Sequence, residues 1–130
     1  MKKKLFIAKI KDKYYEQNIW VIVGEKELFK KYVSRKYKMP DLSWIDEKGR
    51  DGDAKTITLQ HGEAVHTIVW IVTFKWKVFE MGLLVHELLH VVTKTLKDIG
   101  FKFSEDSEEA YTYYLQTLTQ DVFWKLRKVR

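Results

Sequence analysis

The stretch LVHELLH, residues 84–90, lies in a run from Lys77 to Ile99 broken only by Gly82, and Gly100 follows where a helix-ending glycine belongs. One helix over 77–99 is expected. On it His86 and His90 fall one turn apart on the same face, so both imidazoles can aim a nitrogen at one ion. Glu87 is rotated off that line. It is poorly placed as a third ligand and well placed to reach a water held at the same ion, as a general base. The flanks Leu84, Val85, Leu88, Leu89, Val91 and Val92 are uncharged. The competing account is a core helix that happens to contain two histidines. Chance placement of His-Glu-x-x-His in a chain of this composition is about one in a hundred, and two unpaired imidazoles buried beside a carboxylate are costly without a cation. The chain has no cysteine, so the ligands must offer nitrogen or oxygen, and zinc is the expected metal.

Upstream of this helix, LFIAKI (5–10) and IWVIVG (19–24) are rich in branched and aromatic residues and read as two paired strands, the second ended by Gly24. EKELFKKYVSRKY (25–37) gathers Leu28, Phe29, Tyr32 and Val33 on one face with lysines opposite, an amphipathic helix stopped by Met39-Pro40. Residues 38–54 hold the single proline and a turn-prone series, a loop or irregular hairpin around Trp44 and Ile45. KTITLQ (55–60) and HTIVWIVTF (66–74) follow as strands. After the histidine helix, SEDSEE (104–109) offers several helix caps, and Tyr111, Leu115, Leu118 and Val122 recur at helical spacing. The order is β-β-α-loop-β-β-α-α, with no repeat.

The chain has 130 residues, 45% of them apolar and 32% charged, which fits one globular domain over 1–130. Lys9 and Lys11 interrupt the apolar start before a signal core forms, and the apolar run 65–74 is far short of a membrane span, so a cytoplasmic protein with no membrane partner is expected. The net charge of +6 is concentrated at the start, where residues 1–40 carry twelve Lys or Arg against four acids.

With these residues in place, the chain resembles the zincin metallopeptidases, whose signature is a His-Glu-x-x-His helix with uncharged neighbours, matched by Leu84 to Val92. No histidine follows His90, so zincins with a later histidine ligand find no match. SEEAYTYYLQ (107–116) is similar to the ligand helix of the gluzincins, in which a Glu-Ala-x-Ser/Thr stretch supplies the third ligand; Glu109-Ala110-Tyr111-Thr112 fits that pattern. Thermolysin-like gluzincins carry an aspartate one turn after the glutamate, and this chain has Tyr113 there. The likeness covers roughly residues 66–118, and the layout is similar to short metallopeptidases of phages and prophages. It implies an α+β, minimal zincin-like domain: a mixed sheet of about four strands, an N-terminal helix, an active-site helix and a C-terminal ligand helix. It also implies zinc held by His86, His90 and Glu109, and hydrolysis of a peptide or protein, endopeptidase rather than exopeptidase, with the strand at 66–74 expected to run along the cleft and pair its edge with an extended peptide.

Helical geometry alone nominates Glu108, which lies nearer the stripe of Tyr111, Leu115 and Val122, whereas the polar line Thr112, Gln116 and Gln120 favours Glu109. Glu109 also fits a capping box with Asp106 as N-cap. Tyr113 is the candidate phenol for stabilising an oxyanion. His61, Glu63 and His66 form a weaker group, a surface loop from which His66 is a candidate to line the cleft, and Asp51-Gly52-Asp53 reads as a solvated turn. Two other readings stay open: a catalytically inactive binding protein of zincin fold, and a protein associated with nucleic acid through the basic N-terminal region and its tyrosines.

Overall fold

The computed structural model describes residues 4–38 and 53–129. The expected element order is present: β1 (Phe6–Lys11), β2 (Asn18–Val23), α1 (Lys26–Tyr37), β3 (Ala54–His61), β4 (Ala64–Ile71), α2 (Val78–Asp98) and α3 (Glu108–Leu126). The loop around Trp44 and Ile45, the Met39-Pro40 stop and most of the Asp51-Gly52-Asp53 turn lie outside the described residues. Within them α1 ends at Tyr37, followed by Lys38 in the left-handed region (φ 53°). The described residues thus form an α+β arrangement of four strands and three helices.

The sheet order is β1-β2-β4-β3. β1 and β2 pair as expected, and they do so antiparallel; β2 runs parallel to β4, and β3 closes a hairpin onto β4. β2 and β4 are therefore the inner strands. Their near-continuous apolar runs match burial on both faces. This corrects the expectation that the strand at 66–74 offers a free edge to a peptide: both sides of β4 are occupied, and among the described strands the edge next to α2 is β3. The strand also ends sooner, at Ile71; Phe74 leaves the sheet and packs edge-on against Trp76.

Strand alternation splits the core in two. On one face Ile19, Val21, Val69 and Ile71 meet Leu84, Leu88, Val91, Val92 and Leu96 of α2 and Tyr114, Leu118, Val122 and Leu126 of α3. On the other face Ile22, Ile68 and Trp70 meet Phe29 and Val33 of α1. Phe29 stacks flat on Trp70, centroids 5.0 Å apart, and the Trp70 indole N–H donates to Gly24 O at 2.9 Å.

The end of α2 follows the expected glycine rule. Gly100 adopts φ +94°, its N–H donates to Lys97 O at 3.0 Å, and Phe101 N–H donates to Leu96 O at 2.8 Å. That pair of bonds satisfies carbonyls the helix would leave open. The start of α3 differs from the Asp106 capping box. Ser107 is the residue before the helix, and no side-chain cap bond forms, because its hydroxyl is engaged within the loop by Ser104 N–H and Lys102 O.

Candidate metal centre

α2 turns its apolar stripe to the sheet, so the residues between the stripe positions emerge along its flank beside β3. His86 and His90 leave the helix on that flank, and their Nε2 atoms stand 3.2 Å apart. Two imidazole nitrogens bound at about 2.0–2.1 Å to one tetrahedral ion would be separated by about 3.3 Å. The pair is spaced as a chelate without rearrangement. Among the described residues, His86, Glu87 and His90 are the group of three ligand-type side chains whose atoms all lie within 4.8 Å of one another.

The burial is the reverse of what the apolar run suggests. The histidines are exposed, the His86 side chain by 59%, whereas Glu87 is only 4% exposed. The cost of burying imidazoles therefore does not apply; it is the carboxyl that is enclosed. Its Oε2 lies 3.8 Å from His86 Nε2. Its other oxygen accepts from the Thr56 hydroxyl at 2.8 Å, and the same hydroxyl lies 3.1 Å from Glu87 O. One hydroxyl proton serves one acceptor at a time, and the shorter contact is to the carboxyl. Thr56 thus fixes the side chain that the sequence nominates as base. The signal for it was the alternation of KTITLQ: Thr56 pairs with Val69 and shares its α2-facing side of the sheet.

A groove of about 720 Å³ opens beside this cluster, walled by residues 54–58 of β3 and by Glu87, His90, Thr93, Lys94, Lys97 and Asp98 of α2. Glu109 and Glu108 lie exposed in the first turn of α3 and are not members of the close histidine group. Tyr113 is also exposed and lines a separate pocket with Tyr14, Tyr15 and Ala110, which shares no residue with the groove.

His66 is a correction. It alternates with Ile68 and Trp70 onto the α1 side of the sheet, so it is turned away from the α2 groove. There it is bonded to the Tyr37 hydroxyl at 2.9 Å and stacks near His61, centroids 5.1 Å apart. Partial burial and then the charges of Lys36, His61 and Lys9 lower its pKa, which keeps it neutral near pH 7. Burial, and secondarily Tyr32, pushes the Tyr37 hydroxyl up to about 12, so it stays a donor. His61 and Glu63 are exposed at the β3–β4 turn, where Gly62 takes φ +64°. The basic flank of α1 is on this same side, opposite the histidine pair. No described helix is long and apolar enough to cross a membrane. No protein-family model, curated protein or solved structure matches the chain.

Proposed function

We propose that the protein is a zinc-dependent peptide hydrolase of the zincin kind. The observation that carries this is the pairing of two nitrogens at chelating distance, 3.2 Å, with an adjacent buried carboxyl held by a threonine hydroxyl. His86 and His90 supply two ligands, and the gluzincin likeness nominates Glu109 as the third. A zinc ion held there would supply a Lewis acid for the carbonyl and a bound water of near-neutral pKa. Glu87 accepts the proton of the attacking water and returns it to the leaving amine. Thr56 keeps the Glu87 carboxyl from rotating away. The exposed face of the histidines suits a substrate arriving from solvent, and β3, an outer strand among the described residues, suits an extended backbone that pairs with it by main-chain hydrogen bonds.

The test is metal content. One zinc per chain is expected by elemental analysis of the purified protein, and His90→Ala is expected to lose it with little change in melting temperature, since His90 is exposed. Absence of zinc from the wild type after incubation with the metal would end the hydrolase reading.

The third ligand is tested separately. Glu109→Ala is expected to weaken zinc binding at least tenfold, and Glu108→Ala to leave it within about twofold, measured by competition with a coloured chelator. The reverse ranking would shift the ligand by one residue.

A further inference from the structure

From the groove beside the histidines we infer a substrate class, an inference that rests on the hydrolase reading: the site takes extended peptides bearing acidic side chains two to three residues from the scissile bond. Three lysines, Lys55, Lys94 and Lys97, line the groove. The acids among its lining residues are Glu87, whose carboxyl is engaged by Thr56, and Asp98, which lies 3.7 Å from Lys94. Among these described lining residues the lysines outnumber the carboxylates three to two.

The spacing sets the register. His90, Lys94 and Lys97 follow one another along the same flank of α2 at intervals of four and three residues. At about 1.5 Å per helical residue, Lys94 lies about 6 Å and Lys97 about 10 Å beyond His90 along the axis. An extended peptide rises about 3.3 Å per residue. With the scissile bond at the histidines and the backbone laid along β3, Lys94 falls level with the second residue and Lys97 with the third, toward the C-terminal end of α2. Both lysines are exposed, so each contact with a carboxylate is a screened one, worth a factor of about two to five. The two together give about a tenfold preference at low ionic strength.

The experiment separates binding from cleavage. Three fluorescent peptides, identical except for Asp, Ser or Lys at the second and third residues from the centre, are titrated by anisotropy with chelator present, so that nothing is cut. The Asp peptide is expected to bind about five- to tenfold more tightly than the Ser peptide, and the Lys peptide most weakly. Lys94→Glu/Lys97→Glu is expected to invert that order. Because the whole chain is basic, the control is Lys31→Glu/Arg35→Glu on the exposed flank of α1, which changes net charge equally on the other side of the sheet and is expected to preserve the order. Equal binding of the three peptides, or equal effects of the two double variants, would overturn the inference. If the order holds and inverts while zinc-loaded protein cuts none of the peptides, the charge preference stands and the hydrolase reading falls. If all three are cut at equal rates and bind alike, the hydrolase reading stands and the inference falls.

Discussion

Glu87→Gln is expected to lower peptide hydrolysis by roughly a hundredfold or more while keeping zinc and fold, within the range that general acid–base catalysis contributes. The carboxyl is nearly enclosed, at 4% exposure, so a larger change in shape would disturb the packing under α2. Glutamine is isosteric, and its amide oxygen can still accept from Thr56, which stands 2.8 Å from the carboxyl. What is lost is the ability to take a proton. The measurement is digestion of casein or a peptide library, with and without chelator, beside zinc content for both proteins. Unchanged cleavage by Glu87→Gln would assign the activity to a contaminating protease. Failure of the zinc-loaded wild type to cut any substrate would leave a binding module of the same fold.

The largest effect on stability is expected at Asp12, which is not a member of the histidine cluster. This residue, 8% exposed, follows β1 and accepts from the backbone N–H groups of Tyr14 at 3.0 Å, Tyr15 at 3.1 Å and Gln17 at 3.2 Å, so its carboxyl shapes the β1–β2 connection. It also accepts from the Tyr114 hydroxyl of α3 at 2.6 Å, across a sequence separation of 102 residues. Burial, and next the bond to Asp12, push that hydroxyl far above the usual phenol range, so it remains a donor. Tyr114 is 1% exposed, and the Tyr15 ring meets it edge-on at 4.7 Å. Asp12→Ala removes four bonds and takes the acceptor from the buried Tyr114 hydroxyl, which keeps its hydrogen bond with Thr95, a loss of about 3 kcal/mol. For a domain of this size that is a fall of about 10 °C in melting temperature. Tyr114→Phe, which deletes the donor and leaves Asp12 its three amides, is expected to cost about 1 kcal/mol. A fall of under about 2 °C for Asp12→Ala would show that the tie between hairpin and helix contributes little. Since α3 carries Glu109, loosening this tie is also expected to weaken zinc binding if that residue is the third ligand.

What sequence alone determined about this protein is its local order. Branched and aromatic runs marked β1, β2, β3 and β4, and helical spacing marked α1, α2 and α3 in the right sequence. The four-residue interval placed His86 and His90 on one flank of α2, because helix geometry is fixed within a single turn. Gly100 marked the end of α2 for the same local reason: the left-handed residue that closes the last carbonyls is most easily a glycine. Tertiary structure decided the rest. Nothing in IWVIVG or HTIVWIVTF says that they become parallel inner neighbours, since that pairing joins residues some forty-eight apart and is chosen by the packing of α1 on one face and α2 with α3 on the other. That choice made β3 the edge, brought Thr56 against Glu87 and left His66 on the far face. It also decided burial: the apolar neighbours of the motif suggested enclosed histidines, yet the helix is turned so that Leu84, Leu88, Val91 and Val92 fill the core, Glu87 reaches β3 and both imidazoles face solvent. A helix's period fixes which residues share a face; only its neighbours fix which face is covered.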